Sequence, residues 1–462
     1  MTGDSVRALS RGIVAEAGGS GLKMFTRSLV VAVATALCAT LYSGTSSAQS
    51  LGDELRGLLA NHPEVRSRTN ALESANKAVD EAFAGFLPSL DLSADMGPEN
   101  IDSPARRTAQ RTRDRDWRRT RNVATVTATQ NLFDGFATSA ELDQAQLNAR
   151  VARFTLEGTR QNTFFDGIDA YRNVLRQKRL IELARSNERT IMRQLNLEDE
   201  RVQRGAGIAV DVLESKRRLQ LAKERRVNFE GALEDAISQY IQVFDHAPDM
   251  DAMVDPLPPV ELLPASQDQA VEIASSENPA VSSSRLTVEV AHQLRRAARS
   301  DFFPTFDVVG TVNYEKHRDA VLGTRREWSV LLQATWNLFN GFATDASVSQ
   351  AAFNYRASQD NHEFVTRNVI EATRRAWQQL VTARERVDLL ENAVNIASEV
   401  FEARKRLREE GKETVINVLD AENGIIDAQI QFTQVSYDQR LAVYQLLQAL
   451  GRLDEASLGI NG

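Results

Sequence analysis

The chain has 462 residues, of which 26% are charged, and its 55 basic and 63 acidic residues give a formal net charge of −8. Domains that bind nucleic acid are usually basic, so this balance argues against a nucleic-acid partner. The single cysteine excludes a disulfide framework within the chain. We find no nucleophile motif, phosphate-binding loop or metal-ligand spacing, so the sequence predicts neither an enzyme nor a bound cofactor or metal.

Residues 1–48 are predicted to be a leader that contains an export signal. Lys23 and Arg27 flank an apolar stretch over 29–41, and Ser46-Ser47-Ala48 supplies the small residues that a signal peptidase requires. The apolar stretch is short for a membrane-spanning helix, so secretion is favoured over a membrane anchor. The mature chain is expected to begin at Gln49, and Met24 is an alternative start to Met1.

The remainder of the chain contains two copies of one repeat unit. The sequence NLFDGFAT at 131–138 recurs as NLFNGFAT at 337–344, and the same offset aligns Gly205 with Gly411. A two-fold repeat of this length is not a solenoid array. The expected organisation is a first repeat at 49–247, a proline-rich linker at 248–265, a second repeat at 266–453 and a C-terminal tail at 454–462.

Each repeat begins with a predicted helix, at 51–84 and 267–299, followed by two strands. The helices end before the steps Phe-Leu-Pro and Phe-Phe-Pro, because a proline disfavours helix in the residue before it. The second strand of each repeat alternates apolar and polar residues, over 124–132 and 328–338. This alternation fits either a soluble sandwich or an outer-membrane barrel with a lipid-facing apolar side, and the export signal favours the barrel.

Two proline-free helices, predicted at 139–204 and 345–410, are each about 100 Å long at ~1.5 Å per residue. Apolar residues at heptad spacing in the second helix indicate coiled-coil packing; they are Leu380, Val387, Val394 and Phe401. The first helix has a weaker heptad pattern, which Glu188 interrupts. Return helices are predicted at 210–244 and 415–450. A leading helix and a return helix together match one long helix, so we expect them to stack end to end beside it.

This architecture resembles the TolC family of outer-membrane channel proteins. The motifs that carry the resemblance are the two NLF(D/N)GFAT junctions and the helix-reversal sequence GKETVINVLDA at 411–421. The resemblance covers essentially the whole mature chain. It implies a mainly α homotrimer in which β-hairpins form a 12-stranded barrel in the outer membrane of a Gram-negative bacterium, above an α-helical periplasmic barrel of long antiparallel coiled coils. The implied partners are outer-membrane lipid, a periplasmic adaptor (membrane fusion) protein and an inner-membrane ABC or proton-driven transporter.

The resemblance also assigns a periplasmic aperture to positions on the two return helices. These positions are Asp211, Glu214, Asn417 and Asp420. The family has a pair of carboxylates where this chain has Asn417 and Asp420, so an amide replaces one of them. Asp211 usually helps to latch the closed tip, but its basic partner aligns with Glu413 here, which leaves Lys412 as the candidate substitute. Acidic residues at helix starts also complement the helix dipole, and that simpler interpretation stays open.

The helix-reversal tips are expected to contact the adaptor. The residues placed there by alignment are Arg204, Gly205, Gly207, Gly411 and Lys412. The alternative for the glycines is that they only permit a left-handed turn after a helix. A separate arginine-rich loop at 106–121 is expected at the extracellular mouth, where contact with anionic lipopolysaccharide is a hypothesis.

The form Leu-Phe-Asp-Gly-Phe at the junction, and the absence of a lipobox at Cys38, favour the type I protein-secretion branch of the family. The predicted function is therefore a passive exit duct of a three-part export system. Efflux of drugs or other small molecules is the alternative within this class. A periplasmic coiled-coil adaptor or scaffold is the alternative from another class, although such a protein does not need two lipid-compatible strand pairs.

Overall fold

The computed structural model of the chain describes residues 50–101, 118–205, 207–320 and 323–459. The predicted export signal lies outside these ranges, as does most of the arginine-rich loop. Both repeats give the same order of elements. The first contains α1 (Leu51–Asn61), α2 (Pro63–Ala84), β1 (Ser89–Asn100), β2 (Arg118–Phe133), α3 (Ala137–Gln203) and α4 (Ala209–Phe244). The second contains α5 (Gln267–Glu277), α6 (Pro279–Ser300), β3 (Thr305–Lys316), β4 (Thr324–Thr335), α7 (Ala343–Glu409) and α8 (Val415–Leu450).

Each leading helix is broken in two, so the prediction of continuous helices at 51–84 and 267–299 is wrong. The break between α1 and α2 falls at His62, which has an extended backbone (φ −62°, ψ 127°) before Pro63. Asn278 has the same conformation before Pro279. A proline disfavours the helical conformation in its predecessor and has no N–H to donate, so it begins a new helix as the first residue.

The four strands form one antiparallel sheet in the order β1-β2-β3-β4, in which β2 and β3 join the two repeats. The register aligns Leu92, Val126, Val312 and Trp328 across the sheet. Their neighbours Ser93, Thr125, Asn313 and Glu327 are aligned on the opposite face. The alternation therefore divides the sheet into an apolar and a polar face. The apolar face is uncovered, with Trp328 79% exposed.

The long helices α3 and α7 each contain 67 residues, in agreement with the predicted rods to within two residues at either end. The helix α3 packs against α2 and α4, and α7 packs against α6 and α8. This confirms the expectation that a leading and a return helix share one long partner. Among the described residues, no helix has an apolar window long enough to cross a membrane.

The largest core cluster lies where α3, α4 and α8 meet the linker, around Tyr171, Tyr240 and Tyr444. Tyr171 fixes the linker there, because its hydroxyl donates to the carbonyl of Val254 and accepts from the amide of Val254, both at 2.9 Å. Smaller clusters continue along the coiled coil toward the helix tips. Glu188, which interrupts the heptad pattern of α3, is paired with Arg226 of α4 at 2.8 Å.

Candidate channel aperture at the helix tips

The long helices α3 and α7 both end at a glycine with positive φ, 77° at Gly205 and 73° at Gly411. The amide of Gly411 donates to the carbonyl of Arg408 at 3.0 Å, which closes the last turn of α7. Open space surrounds the position of a Cβ at both glycines, so the left-handed backbone and not packing requires glycine. These glycines therefore have a structural reason of their own, and their contact with an adaptor stays a prediction.

The other predicted tip residues differ in their surroundings. A Cβ on Gly207 would lie 2.8 Å from the backbone nitrogen of Val202, so close packing excludes a side chain there. Arg204 is exposed and contacts Glu200 of its own helix at 3.3 Å. Lys412 is also exposed and pairs with Glu410 at 2.7 Å. Within one chain Lys412 therefore pairs with Glu410, and the suggestion that it replaces the missing partner of Asp211 stays a prediction.

Asn417 belongs to the N-terminal cap of α8. The hydroxyl of Thr414 accepts a hydrogen bond from the amide of Asn417 at 3.3 Å, as expected of a threonine N-cap. The side chain of Asn417 donates to the carboxylate of Glu413. This bond and the backbone amide of Thr414 lower the pKa of Glu413. Asp211 lies in the equivalent first turn of α4, where a carboxylate complements the helix dipole.

A single arginine brings Glu214 and Asp420 together. Nε of Arg218 lies 2.9 Å from Oε1 of Glu214, and Nη2 lies 2.6 Å from Oδ1 of Asp420. Arg217 also pairs with Glu214 at 2.6 Å. Hydrogen bonds from Arg217 and then Arg218 lower the pKa of Glu214 to about 2. Arg218 is buried, and it links one predicted aperture residue from each repeat.

A second ion pair of the same kind follows one heptad further along both helices. Arg225 of α4 pairs with Asp427 of α8 at 2.7 Å. The two pairs, Arg218–Asp420 and Arg225–Asp427, are here named the Arg–Asp ladder. They have the same separation along the chain, so α4 and α8 run parallel and in register. The sequence analysis missed the ladder, although the seven-residue spacing of both arginines and both aspartates was a visible signal.

The sequence analysis also missed two buried carboxylates, which lie where α3 contacts α7 and α8. Glu198 of α3 pairs with Arg201 at 2.7 Å and with Arg408 of α7 at 3.6 Å. Glu422 of α8 lies against Gln194 of α3, and burial raises the pKa of Glu422 to about 7. The helix tips are therefore joined by a network of charged groups that lie on all four long and return helices.

The described residues contain no cluster of three or more His, Cys, Asp or Glu side chains that could hold a metal ion. The charged groups at the tips are instead paired with one another. Some pairs lie within one helix, such as Arg204–Glu200, and others join two helices, such as Arg218–Asp420.

Comparison with known proteins identifies the family. Residues 55–240 and 270–452 match the family model described as outer membrane efflux protein. The chain belongs to this family. The two matched segments coincide with the two repeats, and the predicted resemblance to TolC is confirmed, as is the predicted location in the outer membrane.

Three relatives extend over most of the chain. The outer membrane efflux protein BepC of Brucella suis is 24% identical over 94% of this chain and 92% of its own length. The alkaline protease secretion protein AprF of Pseudomonas aeruginosa is 25% identical over 87% of this chain and 84% of its own length. The outer membrane protein TolC of Escherichia coli is 22% identical over 90% of this chain and 85% of its own length.

Solved structures support the fold. The outer membrane channel MtrE of Neisseria gonorrhoeae superposes with a TM-score of 0.75 at 17% identity, covering 87% of this chain and 89% of that chain. The family and the relatives are channels and exporters, which supports the expectation that this chain is not an enzyme.

Proposed function

We propose that this member of the outer membrane efflux protein family is a passive exit duct formed by three copies of the chain, most consistent with type I protein secretion. The observation that carries the proposal is the open four-stranded sheet, whose apolar face is exposed and whose strands end in helices of 67 residues. A sheet of this kind is suited to lipid on one face and to a polar lumen on the other.

The edges of the sheet require further copies. Within the described residues, β1 and β4 each have one edge that pairs with no other strand. Open edges are not tolerated in the hydrocarbon region, because their N–H and C=O groups cannot bond to water. Pairing of β1 with β4 of the next copy satisfies these groups, and three copies close a barrel of 12 strands. The strands, at 12 to 16 residues, exceed the ~9–11 residues needed to span a bilayer.

The long helices support the same assembly. On α7, Leu389 and Ile396 are 70% and 55% exposed and lie seven residues apart. Apolar residues at heptad spacing on an exposed helix face indicate a coiled-coil neighbour, here supplied by the next copy. At about 1.5 Å per residue, α3 and α7 extend for about 100 Å, a length suited to crossing the periplasm. A periplasmic adaptor or scaffold does not account for the uncovered apolar sheet.

Within this duct, the aperture is proposed at the start of the return helices, where Asp211, Glu214, Asn417 and Asp420 lie. The helix ends at Arg204, Gly205, Gly207, Gly411 and Lys412 are proposed to contact a periplasmic adaptor, which in turn links the duct to an inner-membrane transporter. That transporter, of the ABC or the proton-driven type, supplies the energy. The name of AprF, a protease secretion protein, supports protein secretion, and the name of BepC, an efflux protein, keeps small-molecule efflux as the second candidate.

A pair of variants tests the lipid-facing assignment. Val312 and Thr311 are neighbours on the central strand β3 and lie on opposite faces. Val312→Asp places a charge on the apolar face, at a cost somewhat below the roughly 2–4 kcal/mol of an arginine or lysine at the bilayer midplane. Thr311→Asp places the same charge on the polar face at the same depth. We expect the first variant to lose membrane insertion and the second to keep it.

The readouts are the mass of the purified protein in lipid nanodiscs and its conductance in planar bilayers. The proposal predicts a trimer that conducts ions, and equal insertion of the two variants contradicts the assignment of the faces. Monomers, or electrically silent bilayers, contradict the duct itself. Deleting the gene distinguishes the two cargo classes, since loss of an exported protein indicates secretion and increased drug sensitivity indicates efflux.

A further inference from the structure

Two of the carboxylates assigned to the aperture, Glu214 and Asp420, are paired with arginines within the chain. Glu214 and Asp420 share Arg218, and Glu214 also binds Arg217, so two carboxylates face two guanidinium groups. Asn417 carries no charge, and its amide is used by Glu413. Asp211 and Glu413 lie one heptad closer to the tip than Arg218 and Asp420, which is about 10 Å along each helix.

We infer that Arg218 determines the ionic selectivity of this channel by cancelling the negative charge of Asp420 at the narrow end of the pore. The inference rests on the proposed function, because it requires three copies around a common lumen. It makes Arg218 a specificity-determining residue, whereas the sequence pointed only to the acidic residues around it.

The geometry fixes the cancelling charge in place. The Arg218 side chain is 7% exposed and the Asp420 side chain is 57% exposed, so the arginine is held inside the helix pair and the aspartate lies on its open side. The 2.6 Å contact between Nη2 and Oδ1 is that of a charge-assisted hydrogen bond. The arginine therefore presents its charge to Asp420 from a fixed position.

A ring of unpaired carboxylates in a pore attracts cations and repels anions. Pairing each carboxylate with a fixed arginine turns three charges into three dipoles, whose field decreases much faster with distance. The wild-type channel is therefore expected to favour K⁺ over Cl⁻ less than a channel in which Asp420 is unpaired. Asp211 and Glu413 remain as acidic residues one heptad nearer the tip, and they act equally in wild type and in variants of Arg218 and Asp420.

The test measures the reversal potential of the reconstituted full-length chain in planar bilayers under a KCl gradient. The wild-type reversal potential is the reference for the variants. Arg218→Gln leaves Asp420 unpaired, and we expect the ratio of K⁺ to Cl⁻ permeability to rise on the order of fivefold. Asp420→Asn leaves the arginine in excess, and its reversal potential is expected to shift toward anion selectivity.

Three controls separate charge from shape. Arg218→Gln combined with Asp420→Asn lacks the ion pair but is balanced in charge, so it is expected to return to the wild-type reversal potential. Arg218→Lys keeps the charge and is also expected to match wild type. Arg225→Gln removes the other rung of the ladder, about one Debye length away at 0.1 M salt, and is expected to change selectivity less than Arg218→Gln.

Distinct outcomes overturn the inference and the proposed function. A conducting Arg218→Gln channel with the wild-type reversal potential overturns the inference alone. So does a double variant that keeps the selectivity of Arg218→Gln, because the change then comes from a reshaped pore. If Arg218→Gln does not assemble, an unchanged reversal potential in Asp420→Asn overturns the inference equally. A silent wild-type channel overturns the proposed function and the inference together.

Discussion

Ionisation of Glu422 is expected to weaken the contact between α8 and α3 as the pH rises. The residue is 5% exposed, and its Oε2 atom is buried without a hydrogen-bond partner among the described residues. Gln194 of α3 bonds the carboxylate, and the charges that act on it are Arg193 of α3 and Arg218 of α4. Arg218 is already shared by Glu214 and Asp420, so it compensates the burial of Glu422 only in part.

Burial raises the pKa of Glu422 from 4.5 to about 7, which is equivalent to about 3 kcal/mol. The raised pKa means that the folded protein holds the proton more tightly than the unfolded chain does. The stabilisation is therefore fully present below pH 4.5 and is lost as the pH rises through about 7. Glu422→Gln is neutral at every pH and nearly isosteric, so it is expected to abolish this dependence.

Hydrogen exchange of the amides in α3 and α8 near Gln194 and Glu422 measures the effect locally. Wild type and Glu422→Gln are compared at the same pH, which removes the intrinsic pH dependence of exchange. We expect similar protection in the two proteins at pH 4.5 and up to about 3 kcal/mol less protection in wild type at pH 8. Equal protection at both pH values would refute the argument, because it would show that the ionised carboxylate is well solvated or paired.

Two further predictions concern the junctions and the linker. Gly135 and Gly341 share φ +70°, but a Cβ on Gly135 would lie 2.6 Å from the carbonyl oxygen of Ser300, whereas Gly341 faces open space. Gly341→Ala is therefore expected to cost about 1 kcal/mol and Gly135→Ala roughly 2 kcal/mol more, measured by thermal unfolding; equal losses would contradict the clash. Tyr171→Phe removes the shared partner of the amide and carbonyl of Val254, at a cost of about 1 kcal/mol. We expect faster limited proteolysis of the linker in this variant, and an unchanged rate would show that other contacts hold it.

The elements of the fold were predictable because they depend on local rules. Glycines at 205 and 411 specify the turns, and the alternation of apolar and polar residues specifies the strands. The long helices follow from the proline-free stretches. Each of these signals comes from neighbouring residues alone. The same kind of rule breaks the leading helices at Pro63 and Pro279, where the sequence analysis predicted continuous helices. What the local pattern left open was the choice between a sandwich and a lipid-facing sheet. The exposure of Trp328 and its neighbours in the structure favours the second.

The candidate site was predictable only in part. Alignment placed Asp420 and Glu214 correctly at the starts of the return helices, but their shared partner Arg218 lies in the other repeat from Asp420. A contact between residues so far apart depends on how α4 and α8 are staggered, and no local period encodes that stagger. Glu422 was missed for the same reason. An acidic residue on a helix with many charged residues is expected to be exposed to solvent, and only the three-dimensional structure shows that a second helix covers it.

The complete ladder depends on sequence differences between the two repeats. By the repeat alignment, Arg218 corresponds to Gly424 and Arg225 corresponds to Gln431, each one helical turn beyond the aspartate that it binds. The helices α4 and α8 are therefore offset by about one turn relative to the alignment of the repeats. Asp420 aligns with Glu214 and Asp427 aligns with Leu221, so two copies of the first repeat would keep an ion pair at the first rung and lose the second. Two copies of the second repeat would lose both, because Gly424 and Gln431 replace the arginines. The first repeat supplies the cations and the second supplies the anions, so the ladder joins two unlike halves and gives each return helix a distinct role.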